Sequence, residues 1–317
     1  MANEHLTTDY IYILGRGHNG STVFNLLLGN HPDIESLGEF SSGFQRFQTE
    51  TCSCGSKLQE CKLWSRVFSN LDGNPNWIGA DNYSSMLKYL DKFHRLPQVI
   101  TRHFLPKWVE NDYLPSTRLL FKEIAIASNA SCIVDSSKEL SRGTFFVSKF
   151  PENTKIVYLV RDGRAMIWSF LRRFRWSGRI KLFGKRRKIR SEILLVLHII
   201  FSLTVSQVHA GILKFFHPGN IITVKFEDLS ENTESEFERI GRFLEKDFSK
   251  ITDRIISGNE LEIGHNIGGN NMRHSQKGTF VFKHDDSWRE HFPVYYSKLY
   301  LWFGFIHARL NGYRSLD

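Results

Sequence analysis

The chain has 317 residues, with 42 Lys and Arg against 33 Asp and Glu, for a formal charge of +9. At about 100–200 residues per domain, this length holds one large domain or two small ones. A hydrophobic share of 41% with 26 Phe, 10 Tyr and 7 Trp excludes a disordered chain, and 8 Pro and 23 Gly without a period exclude collagen-like and low-complexity classes.

The opening MANEHLTTDYIYILGRG lacks a basic region followed by a long apolar stretch. No secretory leader is expected, and the chain is read as cytoplasmic. A buried strand is expected over 10–14, running into a Gly-rich turn, with a helix through Val23–Leu28 that stops at Gly29-Asn30-His31-Pro32. Residues 51–60 are turn-rich and carry Cys52 and Cys54, with Cys61 just beyond. The three thiols suggest a metal site, but no nearby His or fourth Cys completes a tetrahedron at a usual spacing. Reduced thiols in a turn and no metal are therefore expected.

Helical periodicity covers 84–124, with Leu87, Leu90 and Phe93 on one face and a second helix from Leu114 to Ile126 after a Pro break. Cys132–Val134 is a short apolar run ending at Asp135-Ser136-Ser137-Lys138, and KIVYLV (155–160) is a strand ending at Arg161-Asp162-Gly163-Arg164. A helix containing Trp168-Ser169-Phe170 follows, then the apolar stretch Ile193–Val205. A bilayer needs about 20 apolar residues, so that stretch is read as a buried helix. NIITVKF (220–226) is a further strand ending at Glu227-Asp228, and 232–245 reads as an amphipathic helix with Phe237, Ile240, Phe243 and Leu244 inward.

Strands alternating with helices predict an α/β fold, a P-loop-like parallel sheet flanked by helices, in a single domain over 1–317. In such sheets ligands sit at the carboxyl ends of the strands, so Gly15–Thr22, Asp135–Lys138, Arg161–Arg164 and Glu227-Asp228 are expected to converge on one crevice.

Gly15-Arg16-Gly17-His18-Asn19-Gly20-Ser21-Thr22 follows a strand and opens a helix, the geometry of an anion cradle. Against the nucleotide P-loop, Gly15 and Gly20 keep the spacing, but Ser21 stands where the phosphate-gripping Lys belongs. A ligand with a shorter anionic tail than a Mg-triphosphate fits better. Arg161 ends a strand and Ser169 lies eight residues on, about two helical turns, so guanidinium and hydroxyl can hold a second phosphate.

Together these residues resemble the PAPS-dependent sulfotransferase family, whose donor, 3′-phosphoadenosine 5′-phosphosulfate, carries a 5′ phosphosulfate and a separate 3′ phosphate. HNGST (18–22) resembles the family's 5′-phosphosulfate loop, and VRDGRAMIWS (160–169) resembles its 3′-phosphate motif, with similarity to tyrosylprotein sulfotransferases. VKFEDL (224–229) resembles the segment whose aromatic, here Phe226, lies by the adenine. HPDIESLGE (31–39), CSCG with the following Cys and Trp, and HNIGGNNMR (265–273) are similar to further sulfotransferase segments, and the likeness spans about residues 10–290.

The resemblance implies sulfuryl transfer from PAPS to a hydroxyl or amine acceptor, with 3′,5′-ADP released and no metal required. It implies Glu39 as base, with His103 as a rival. Lys138, in VDSSK, reaches the sulfate. His18 stands where the family has Lys or Arg, and beside a phosphosulfate its charged form would be favoured; Arg16 or Lys138 can share that role. Arg273 or Lys277, in a Gly/Asn-rich loop, is expected at the 3′ phosphate. The acceptor is expected to be a small metabolite or glycan, an anionic one included.

The basic segment 171–190 interleaves Arg and Lys with Phe174, Trp176 and Ile180. It fits an anionic acceptor, a peripheral membrane contact or a solvated insertion; a nucleic-acid partner is not expected, since no binding module accompanies it. The rival activity is a P-loop kinase or NTPase, with Asp135 of CIVD as its Mg-binding carboxylate. The non-enzyme rival is a basic glycan- or lipid-binding protein on a vestigial fold.

Overall fold

The computed structural model describes residues 6, 8–101, 105–177, 180–182, 185–187, 191–274, 278–283 and 286–314. Strands β1 (Asp9–Leu14), β2 (Ile34–Gly38), β3 (Cys132–Asp135) and β4 (Thr154–Val160) precede a short hairpin, β5 (Ile180–Leu182) and β6 (Lys185–Arg187), and then β7 (Ile221–Lys225). Five of these form a parallel sheet in the order β2-β3-β1-β4-β7. Both faces of the sheet are covered, which is why its central strands read as continuous apolar runs.

Alternation along β1 divides the core. Tyr10, Tyr12 and Leu14 enter one layer with Phe40, Phe44, Trp64, Phe121 and Phe146. Ile11 and Ile13 enter the other with Phe24, Leu27, Phe237 and Ile240. A third apolar cluster joins Ile167, Leu171, Leu195, Ile199, Trp288 and Tyr300.

Four elements differ from expectation. β2 was not foreseen, because Glu35 and Gly38 interrupt its apolar pattern, yet it pairs with β3 at the sheet edge. Phe93, expected inward, is 56% exposed, since the helix Ala80–Leu90 stops before it and a short 3₁₀ turn begins there. The basic segment is not one insertion: its first third belongs to the helix Gly163–Ser177, and the β5–β6 hairpin follows. The apolar stretch lies within a longer helix, Glu192–Phe216, of 25 residues, long and apolar enough to cross a membrane by length and composition. One stripe of it is buried (Leu195, Ile199, Leu203, Ala210), while Leu194, Phe201, Val208 and Phe215 form an exposed stripe at heptad spacing.

Candidate active site

The sheet's parallel order brings the carboxyl ends of β1, β3, β4 and β7 to one edge. β1 runs through Gly15–Gly20 into the helix Ser21–Leu28. Asn19 spends its side chain on holding this loop: its amide donates to Leu159 O at 2.8 Å, and its Oδ1 accepts from the Ser21 N–H at 3.1 Å. Gly20 has φ 89°, and a Cβ there would lie 2.2 Å from the Phe226 ring, so only glycine fits. Gly20 offers no side-chain cap and the first turn holds no acidic residue, so the first-turn N–H groups beyond Ser21, whose N–H donates to Asn19, remain for an anion.

Arg161, at the end of β4, donates to His18 O at 3.3 Å, and its guanidinium lies 5.0 Å from the Phe226 ring centroid. Ser169 Oγ and His18 Nδ1 share a 2.7 Å hydrogen bond, and the imidazole packs 4.1 Å from the Phe170 ring. The Gly15–Thr22 loop and the side chains of Arg161 and Ser169 thus meet at His18.

Burial, followed by the charges of Arg173, Lys138 and Arg161, lowers the His18 pKa to about 4. His18 is thus neutral at pH 7 in this environment, with three cations acting on it. Arg173 was missed as a member of this cluster because it falls in the basic run, although it stands one helical turn beyond Ser169 on the same face. Arg16 is half-buried, and burial lowers its pKa; its charge acts on Glu139 and His198, and its Nε is buried without a hydrogen-bond partner.

The third contributor is the turn after β3. Asp135 is fully buried and accepts from Arg142 Nε at 2.9 Å, Tyr10 Oη at 2.7 Å and the Ser137 N–H at 2.8 Å. These bonds fix the turn in which Lys138 takes a φ of 67°. Lys138 Nζ donates to Glu39 Oε1 at 2.6 Å and to Ser136 O at 2.8 Å. Glu39 sits between β2 and the short helix Phe40–Phe44. The two residues named as base and sulfate contact are thus an ion pair. Asp135 cannot also serve a magnesium ion, because Arg142 and Tyr10 already occupy one carboxylate oxygen and Ser137 the other.

Arg273 corrects a further expectation. It is 7% exposed and turned inward, with Nη2 on Glu50 Oε1 at 2.5 Å and Nη1 on Thr51 O at 2.7 Å and Asn266 O at 3.1 Å. Nη1 is fully taken up by the chain itself, while Nε is buried without a hydrogen-bond partner. Lys277 and His103 lie outside the described residues. Glu227 also acts in the fold, accepting from the Asp162 N–H at 2.9 Å and from Tyr313 Oη at 2.7 Å.

The sulfotransferase domain family matches residues 81–300, well over half of the chain. The chain belongs to the sulfotransferase domain family. This sulfotransferase is a transferase of sulfuryl groups. A comparison with curated proteins gives no match. Among solved structures, it is similar to the sulfotransferase domain from the curacin biosynthetic pathway, at 18% identity over 78% of this chain and 77% of that one, with a TM-score of 0.45. It is also similar to the sulfotransferase domain of the Synechococcus PCC 7002 olefin synthase, at 16% identity over 92% and 86%, TM-score 0.45. Sulfotransferase STF9 from Mycobacterium avium matches at 13% identity over 78% and 66%, TM-score 0.43.

Proposed function

We propose that this sulfotransferase takes its sulfuryl group from PAPS and passes it to a hydroxyl acceptor, releasing 3′,5′-ADP. The observation that carries the reading is the meeting at His18 of a helix N-terminus without a side-chain cap on Gly20 and the Arg161 and Ser169 side chains, with the charges of Arg173 and Lys138 acting on the same buried imidazole. Such a cluster fits two separated phosphate groups better than one.

PAPS supplies the sulfuryl group and, in its 5′ phosphate, the leaving oxygen. The Gly17–Thr22 loop binds the 5′ end through its backbone N–H groups other than those of Asn19, which donates to Arg16 O, and Ser21, which donates to Asn19 Oδ1, with Ser21 and Thr22 in the first helical turn. Arg161 and Ser169 bind the 3′ phosphate, and Phe226, fixed against Gly20, faces the nucleobase. Glu39 takes the proton of the acceptor hydroxyl as the acceptor oxygen bonds to sulfur and the bond between sulfur and the 5′-phosphate oxygen breaks. Protonation of Glu39 weakens its hold on Lys138, leaving the ammonium to face the negative charge developing on the leaving oxygen.

The buried commitment of Asp135 favours this reading over a Mg-dependent kinase. The test is mass-resolved sulfate transfer from labelled PAPS into an extract rich in hydroxylated metabolites and glycans. A labelled product that disappears in Glu39→Gln supports the reading; Mg-ATP turnover without sulfate transfer contradicts it.

The partner surface belongs to the same proposal. The exposed stripe Leu194–Phe201–Val208–Phe215, with Phe216 at 66% and Trp302 at 81% exposure, follows directly on the basic segment 171–190. Apolar side chains beside Arg and Lys suit an anionic lipid surface.

A further inference from the structure

Four potential metal ligands meet away from the donor residues. Cys52, Cys54, Cys61 and His265 present ligand atoms that all lie within 4.8 Å of one another. His265 Nδ1 is 3.7 Å from Cys52 Sγ and 3.3 Å from Cys61 Sγ. Zinc at about 2.3 Å from sulfur and about 2.0–2.1 Å from nitrogen gives tetrahedral ligand–ligand edges of about 3.5–3.8 Å. The measured separations are already close to those edges. We propose that these four residues hold a structural zinc ion.

Trp64 Nε1 donates to His265 O at 3.1 Å and fixes the histidine's backbone. Zinc binding releases the thiol protons to solvent and leaves three thiolates and one neutral imidazole around Zn2+. Four protein ligands fill a tetrahedron with no open position, and soft sulfur donors select zinc over magnesium or calcium. Cys52 and Cys61 are buried while Cys54 is exposed, which gives the ion a way in. Cys132, on β3, takes no part.

The ion would join two segments more than 200 residues apart in sequence. Ser53 already binds this strap, its N–H on Asn266 O at 2.9 Å and its Oγ on Gly264 O at 2.6 Å. The strap continues past β2, where Gly38 bridges Ile267, to Gly268, whose φ is 66° and where a Cβ would fall 2.5 Å from Glu39 O. Zinc would therefore staple the strap that packs on Glu39, a role in folding that stands whatever the donor and acceptor are.

The test uses the full chain carrying no polyhistidine tag and purified without chelator, analysed by inductively coupled plasma mass spectrometry. About one zinc per chain is expected. Cobalt in its place should give the thiolate charge-transfer bands of a tetrahedral site. Cys54→Ser removes an exposed ligand without opening the core, so it should fold and yield zinc to a chelator at least about 10-fold more readily, as should His265→Asn. Cys132→Ser should keep the ion. Stripping zinc should lower the melting temperature, and re-adding it should restore it, with no donor or acceptor present. Zinc below about a tenth of an equivalent after incubation with Zn2+ would overturn the proposal. So would equal retention in wild type, Cys54→Ser and His265→Asn, or a Cys52–Cys61 disulfide, seen as two cysteines resisting alkylation in the denatured, unreduced chain.

Discussion

Replacing Arg161 by Ala probes the proposed grip on the 3′ phosphate. The guanidinium contacts His18 O at 3.3 Å and lies 5.0 Å from the Phe226 centroid, so its loss removes a phosphate donor and also a brace on the loop. A hydrogen bond to a charged group contributes about 1.5–3 kcal/mol, and each 1.4 kcal/mol is about tenfold in affinity. Arg161→Ala should therefore weaken 3′,5′-ADP binding by about 10–100-fold. To separate the two losses, titration calorimetry is run with 3′,5′-ADP and with 5′-AMP, which lacks the 3′ phosphate, on wild type and variant. The cycle isolates the term shared by Arg161 and that phosphate. Wild type should prefer 3′,5′-ADP, and the variant should bind the two nucleotides with nearly equal affinity. Arg161→Lys should fall between them, because Lys keeps the charge but not the bidentate fork. An undiminished preference for 3′,5′-ADP in Arg161→Ala would refute the assignment.

Glu39→Gln should lower kcat by about 10²–10⁴-fold with 3′,5′-ADP affinity kept, measured by product formation beside calorimetry; a variant at wild-type rate would remove Glu39 as base. His18 is held at about 4 by burial and neighbouring cations, and a bound anion raises that value, so binding takes up a proton. Affinity for 3′,5′-ADP should thus gain on falling pH, between 7 and 5, relative to His18→Asn, which retains only the ligand's own titration; parallel pH profiles would contradict this. Arg273→Ala removes one of two guanidinium partners of Glu50, which keeps Arg46 at 2.8 Å and the Gly268 N–H at 3.1 Å, and should destabilise the protein by about 1.5–3 kcal/mol in chemical denaturation, with nucleotide affinity retained. A large loss of affinity in that folded variant would return Arg273 to the donor site. Wild type should float with anionic vesicles, and Phe201→Ser with Phe215→Ser should reduce flotation; equal flotation, or a dimer that dissociates in the variant, would count against a lipid partner.

The sheet was legible because burial on both faces makes YIYIL and KIVYLV continuous apolar runs, and the loop because glycine spacing between strand and helix has a direct geometric meaning. β2 was hidden by being short and at an edge. Arg273 misled because a cation in a Gly/Asn-rich loop looks the same in sequence whether it faces a ligand or a buried Glu50. The low pKa of His18 without an anion beside it was not legible, because its burial and its three neighbouring cations are visible only in the fold. The Cys-rich turn lacked its fourth ligand for a similar reason, since His265 arrives from the far end of the chain. Arg173 could have been found from its four-residue offset from Ser169 had the helix been carried past Phe170.

A crystal structure with 3′,5′-ADP tests most directly whether one nucleotide is gripped at both ends. The 5′ phosphate should lie at the start of the helix Ser21–Leu28, and the 3′ phosphate between Arg161 and Ser169. A nucleotide bound with either phosphate away from these residues, or no binding at millimolar concentration, would contradict the account.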